Sequence, residues 1–173
     1  TGANRGIGLE MARQLQARGD VVLAACRHSC GELDRLGCEV ISGIDVASDA
    51  SVSQLAGRLG GAHLDVIVNN AGILEPDELG KIDFDRMRRQ FEVNALGPLR
   101  VTQALLPRLR DGGKIVIITS RVGSMADNAS GHYYGYRASK AAVNMIGVNL
   151  AIELRDRDIT VLLLHPGMVA TEM

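Results

Sequence analysis

The 173-residue chain has no tryptophan, two phenylalanines and three tyrosines. The tyrosines are Tyr133, Tyr134 and Tyr136, so any chemistry that needs a phenol is confined to one stretch, "GHYYGYRASKAAVNM". Cysteine is also scarce. Cys26, Cys30 and Cys38 are odd in number and crowded into thirteen residues. That pattern fits free thiols in a reducing, cytoplasmic compartment better than a disulfide framework. With His28 they have poor ligand spacing for zinc, and no metal is expected. No apolar run approaches the ~20 residues of a membrane-spanning helix. A formal net charge of −1 removes the electrostatic reason to expect nucleic acid or a charged membrane surface as partner. No serine has a G-x-S-x-G setting, and no coherent carboxylate pair of the glycosidase type is present, so hydrolase readings are poor.

What the chain does have is alternation. β-branched runs at Val21–Arg27, Glu39–Asp45, Asp65–Asn69, Lys114–Ser120 and Thr160–His165 read as strands. Helical patterns at Gly8–Arg18, Val52–Leu59, Phe84–Arg110 and Ala138–Arg155 lie between them. Most of the strand runs are continuously apolar, as in strands covered on both faces. Strand–helix alternation predicts right-handed βαβ units and an α/β fold: a Rossmann-type doubly wound parallel sheet in three α/β/α layers. Residues 1–173 are expected to form a single dinucleotide-binding domain that contains the active site. The chain opens on a glycine loop with no strand before it and stops just after a strand. The first, central strand and a C-terminal part are therefore expected to lie outside it.

The opening "TGANRGIG" reads G-x-x-x-G-x-G from Gly2 and runs into an amphipathic helix. Glycines allow a tight turn and close backbone approach, and the helix N-terminus offers unpaired N–H groups to a pyrophosphate. The spacing differs from G-x-G-x-x-G, so the loop alone is weak support. About 20 residues on, where an acid would bind a ribose 2′-OH, stands Cys26, followed by Arg27. A guanidinium binds a 2′-phosphate well and a carboxylate repels one. With Arg5 inside the loop, NADP(H) is expected over NAD(H). The competing reading makes the two arginines solvated surface charges.

In "YRASK", Tyr136 and Lys140 are one helical turn apart and share a face. A free phenol with pKa ≈ 10 exchanges protons poorly at neutral pH. A cation held close lowers that value, and the pair can then protonate a carbonyl oxygen or deprotonate an alcohol. Such a pair is commonplace on helices and gains its weight from its surroundings. "TGANRGIG", "DV" at Asp45, "NNAG" at Asn69–Gly72, Asn94, "TS" at Thr119–Ser120, "YRASK" and "HPGMVATEM" follow one another in an order that resembles the short-chain dehydrogenase/reductase family. The resemblance covers essentially the whole chain and looks most like the small NADP(H)-dependent carbonyl-reductase-like members.

That resemblance implies roles by position. Tyr136 is the general acid/base, Lys140 lowers its pKa and holds the nicotinamide ribose, and Ser120 orients the substrate oxygen. Asn94 helps hold a water in a proton relay. Gly2, Asn4, Arg5, Gly6, Ile7 and Gly8 form the phosphate turn, with Arg27 beside it. Asp45 and Val46 sit by the adenine, and Asn70, Ala71 and Gly72 line the adenosine side. Pro166, Gly167, Val169 and Thr171 face the nicotinamide. The substrate class is a small carbonyl or alcohol.

Several points stay open at this level. Ser120 precedes Tyr136 by sixteen residues, more than is usual in the family, whereas Ser124 precedes it by twelve. Ser120 is preferred because "KIVIITS" ends a strand there, which makes "MADNASGHY" a loop bulging beside the cleft. Pro98 deprives the Asn94 carbonyl of its i+4 donor, leaving either a water-holding group or only a helix kink. His132, Tyr133 and Tyr134 are expected at the cleft wall, and His165 is expected to shape the cofactor loop. The helix "ASKAAVNMIGVNLAIEL" is apolar nearly all round, which predicts a second buried face in a homodimer or homotetramer; the competing reading covers that face with further residues of its own chain. The rival function is an NADP(H)-binding regulatory or signalling protein without turnover; an epimerase or dehydratase of the same fold is disfavoured.

Overall fold

A computed structural model describes residues 1–169 of the chain. Helix α1 (Gly6–Arg18) leads to strand β1 (Leu23–Ala25), the short helix α2 (Gly31–Asp34), β2 (Glu39–Ile41) and α3 (Asp49–Arg58). Strand β3 (Leu64–Asn69) is followed by α4 (Phe84–Phe91), a π-helical turn (Glu92–Leu96), α5 (Gly97–Leu105) and a 3₁₀ turn (Leu106–Arg108). Strand β4 (Leu109–Ile118), a second 3₁₀ turn (Arg121–Gly123), α6 (Tyr134–Glu153), a 3₁₀ turn (Arg155–Arg157) and β5 (Thr160–Leu164) complete the order.

All pairings are parallel, as the alternation predicts. β1 pairs β2, and β3–β4–β5 form a second group in sequence order. β1 and β3 do not pair with each other; Thr1–Ala3 runs between them, with Thr1 N donating to Val68 O (2.8 Å) and Ala3 N to Ala25 O (3.3 Å). Side chains alternate across the strands. Ala25, Ile67, Ile115 and Ile117 join one core with α3, α5 and α6, through Leu55, Val101 and Val143 among others. Ala24 and Cys26 face the other way, into a smaller core with Ala12 of α1 and Leu33 of α2. Val66, Leu162 and Leu164 on this second side are exposed.

The predicted helix Phe84–Arg110 is four pieces and then strand. Pro98 falls at the start of α5 and Pro107 at the start of the 3₁₀ turn, and Leu109 already pairs with Leu64 in the sheet. Neither proline can supply the N–H that a continuous helix requires. Between α4 and α5 the chain widens into the π turn, where Gly97 N–H reaches back five residues to Glu92 O. α3 begins earlier than its apolar periodicity suggests, because Ser48 caps it by accepting from Ser51 N (3.3 Å).

Candidate active site

A cleft of about 900 Å³ opens beyond the carboxyl ends of the strands. Its floor begins at the glycine loop. Gly2 has φ +65° and Gly6 φ +52°, the left-handed region that favours glycine. Gly8 meets Gly2 so closely that a Cβ there would lie 2.1 Å from Gly2 O and 2.5 Å from Asn70 Nδ2. Asn70 stitches this loop to the next: its Nδ2 donates to Thr1 O (3.0 Å) and Gly2 O (3.2 Å). Asn70 N and Ala71 N both donate to Thr1 Oγ1 at 3.2 Å. The first turn of α1 has no side-chain cap and no acidic residue, so its N–H groups and positive dipole end face the cleft unopposed. Arg5 and Arg27 are exposed on the cleft rim and make no ion pair among the described residues. Cys26 is buried, and burial pushes its thiol pKa up, away from the reactive range. Asp45 is turned back to its own loop, accepting from Ala47 N (2.9 Å).

At the other end stand the phenol and the lysine. Tyr136 and Lys140 share one face of α6, with Lys140 Nζ 5.6 Å from the centre of the Tyr136 ring. Lys140 is buried and donates to Ile118 O at 2.9 Å. Burial lowers its pKa from 10.5 to about 8. Burial likewise raises the pKa of the Tyr136 phenol, and a hydrogen bond with the Ser120 side chain acts against that rise. The expected charge effect of Lys140 on the phenol is therefore not what dominates here. Desolvation does, and Lys140 spends its hydrogen bond on the end of β4.

Ser120 lines the cleft, caps the 3₁₀ turn through Val122 N (3.3 Å) and reaches Tyr136. Ser124 Oγ instead accepts from Asp127 N (3.3 Å), outside the cleft. Asn94 is buried behind Lys140. Its Oδ1 accepts from Ile73 N (2.8 Å), and its Nδ2 donates to Ile73 O (2.8 Å) and Ser139 Oγ (3.0 Å). A Cβ at Gly72 would stand 3.3 Å from Asn94 Oδ1 and 3.8 Å from Lys140 Nζ, so the close approach of this loop to Asn94 favours glycine.

The sequence model described as short chain dehydrogenase matches residues 1–173. The chain belongs to the short-chain dehydrogenase family. A 1-hydroxy-2-glutathionyl-2-methyl-3-butene dehydrogenase from Rhodococcus sp. (strain AD45) is 49% identical over 174 residues, which are 99% of this chain and 77% of that protein. The C-signal protein of Myxococcus xanthus is 48% identical over 113 residues, 64% of this chain and 68% of the relative. Among solved structures, an NADPH-bound carbonyl reductase from chicken fatty liver superposes with TM-score 0.89 at 31% identity, covering 99% of this chain and 78% of that one. Family membership makes the chain an oxidoreductase by kinship, with the Rossmann fold of its relatives.

Nearly every residue singled out in the sequence lines this short-chain dehydrogenase cleft: Gly2, Asn4 to Gly8, Arg27, Asp45, Val46, Asn70 to Gly72, Ser120, Tyr136, Lys140, Pro166, Gly167 and Val169. Asn94 lies behind it, and Thr171 lies outside the described residues. The stretch before α6 is a correction. His132, Tyr133 and Tyr134 are exposed and lie outside the cleft, because the chain turns away there through left-handed backbone. His165 does line the cleft. Sequence reasoning missed the polar residues that seat α6. Gln90 is fully buried, its Oε1 accepts from Glu75 N (3.0 Å), and its Nε2 packs 2.6 Å from where a Gly135 Cβ would stand. Asp77 holds the N-terminus of α6 from 57 residues away. No periodicity signals partners at that separation.

Proposed function

We propose that the protein is an NADP(H)-dependent oxidoreductase that interconverts a small-molecule carbonyl and its secondary alcohol. The observation that carries this reading is the gathering of Ser120, Tyr136 and buried Lys140 at the end of a cleft that begins at an uncapped helix N-terminus. The free α1 amides and the close-packed glycine backbone fit a pyrophosphate. Arg5 and Arg27, exposed and without an ion pair among the described residues, with Cys26 where an acid would stand, fit a 2′-phosphate and favour NADP(H) over NAD(H). The NADPH-bound carbonyl reductase gives the same preference by likeness.

When bound, the nicotinamide supplies or accepts the hydride. This chain's residues handle the oxygen and its proton. Ser120 donates to the substrate oxygen, and Tyr136 protonates it in reduction or takes the hydroxyl proton in oxidation. Lys140 holds the nicotinamide ribose and keeps a positive charge beneath the phenol. Asn94 braces the loop wall between them and, through its carbonyl beside Pro98, holds a relay water. Asp45, Val46 and Asn70 to Gly72 hold the adenosine; Pro166, Gly167, Val169 and Thr171 hold the nicotinamide end. Residues 1–173 work as one dinucleotide-binding domain, in a homodimer or homotetramer of the cytoplasm.

The test is NADPH oxidation against a panel of aldehydes, ketones and quinones, with Tyr136→Phe as control. Turnover by the parent is expected to fall about 10²–10⁴-fold in the variant, with NADPH binding kept. Undiminished turnover would remove Tyr136 from the mechanism, and a preference for NADH would remove Arg5 and Arg27 from cofactor choice. The likeness to C-signal favours a second reading, a signalling protein that binds NADP(H) without turnover. Tight NADPH binding with no reduction of any probe is the result that would select it.

A further inference from the structure

The geometry points to Asp77 and Arg137 as a pair of positioning residues that clamp a strained left-handed turn, Gly131–Tyr133, and thereby set where Tyr136 stands. The inference rests on Tyr136 being the acid/base.

Three consecutive residues before α6 have positive φ: Gly131 (+64°), His132 (+56°) and Tyr133 (+54°). Glycine adopts this conformation freely, but each of the other two is strained in it. Strain of this kind persists only where the surroundings over-determine it. Here two residues do so from opposite sides, Asp77 through its backbone carbonyl and its carboxylate and Arg137 through its guanidinium. Asp77, in the loop between β3 and α4, takes the N–H groups. Its carbonyl accepts from Tyr133 N (3.0 Å), its Oδ1 from Tyr134 N, and its Oδ2 from Gly135 N (2.9 Å). Arg137, in the first turn of α6, takes the carbonyls. Its Nε donates to Gly131 O and His132 O, both at 3.1 Å. Its other nitrogens donate to Ser130 Oγ (2.8 Å) and Val122 O (3.3 Å), tying in the rest of the connection from Ser120.

The helix needs this. Its N-cap, Tyr133, offers no side-chain cap, so Asp77 caps in trans, two residues before Tyr136. The sixteen-residue spacing from Ser120 to Tyr136 is thus accommodated by an outward loop, closed at its base by the clamp. The phenol then meets Ser120 although the connection is long.

The chain has three tyrosines and no tryptophan, so Tyr133→Phe/Tyr134→Phe leaves Tyr136 as the sole phenol. Its ionisation in the full-length protein can be followed by ultraviolet absorbance without any substrate. Adding Asp77→Ala is expected to move that titration down towards the ordinary value of about 10, as the phenol leaves its buried seat. Reduction of a quinone probe is expected to fall roughly 10–100-fold with little change in NADPH affinity. Glycine at 133 relieves the strain, so Tyr133→Gly/Tyr134→Phe/Asp77→Ala is expected to recover much of both readouts. Arg137→Ala should act in the same direction, and it tests the clamp if Asp77→Ala fails to fold. A merely structural Asp77 predicts lower thermal stability with an unmoved titration and unchanged kcat; that result, or no rescue by glycine, overturns the clamp. If the parent reduces none of the aldehydes, ketones or quinones of the panel, the proposed function fails, while the phenol titration still decides the clamp.

Discussion

Lys140 is the residue on which stability and chemistry pull in opposite directions. It is 5% exposed, and burial lowers its pKa from 10.5 to about 8. A lysine with a depressed native pKa binds fewer protons folded than unfolded between pH 8 and 10.5. Stability therefore rises with pH across that window, and below pH 8 the full cost of burying the charge is present. The shift corresponds to at most about 3 kcal/mol. Lys140→Met removes that cost and also the bond to Ile118 O, worth about 1 kcal/mol. Urea unfolding at pH 7 should show the variant more stable than the parent by ~1–2 kcal/mol, with the gap shrinking at pH 10. Carbonyl reduction should be lost at both. A variant less stable at pH 7 would mean that the ammonium is better compensated than its single hydrogen bond suggests. The choice of serine is tested at this scale as well. Ser120→Ala is expected to lower kcat at least tenfold and Ser124→Ala to leave it near parental, because Ser120 lines the cleft with Tyr136 whereas Ser124 Oγ accepts from Asp127 N outside it.

At the scale of elements, the glycine loop and NNAG loop behave as one unit. Gly8→Ala puts a methyl 2.1 Å from Gly2 O, a backbone atom that cannot swing aside. Fluorescence titration should show NADPH binding weakened at least tenfold, with Asn70→Ala acting in the same direction through loss of its bonds to Thr1 O and Gly2 O. Which elements were legible follows from how local their causes are. Strands β3 and β5 could be read from apolar runs almost to the residue. The long helix between them could not, because Pro98 and Pro107 redirect the chain and the π turn leaves no periodic mark. Periodicity alone starts α6 at Ala138, yet it begins at Tyr134 because Asp77 caps it from another loop. The short helix α2 was missed: four residues capped by Cys30 Sγ carry too little pattern. Candidate site residues in contiguous motifs are visible for the same reason, while Gln90 and Asp77 act through polar contacts to other elements that no spacing encodes, and Arg137 through an irregular turn without periodicity.

For the whole molecule, the sheet separates two unequal environments. One side is a continuous core under α3, α5 and α6; on the other, Val66, Leu162 and Leu164 are exposed. α6 adds its own outward face, where Met145, Val148 and Ile152 follow helical spacing and are 62%, 47% and 56% exposed. A helix buried on one side alone would carry polar residues on the other. Isologous pairing of this face across a two-fold axis would bury it and would bring each Val148 near its symmetry mate. Val148→Glu tests this cleanly, since the side chain is half exposed within one chain and the fold should tolerate it to within about 0.5 kcal/mol. In a paired interface, by contrast, two like charges would be desolvated against each other. Light scattering of the parent should give a dimer or tetramer, and Val148→Glu a smaller species with unchanged far-ultraviolet circular dichroism. A monomeric parent would remove the interface. An unchanged oligomer in the variant would place the contact elsewhere on the surface. Because Tyr136 and Lys140 lie in the first two turns of the same helix, loss of pairing should also loosen the active site. The variant's kcat should fall modestly, while NADPH affinity, set at the far end of the cleft by the glycine loop, stays near the parent's.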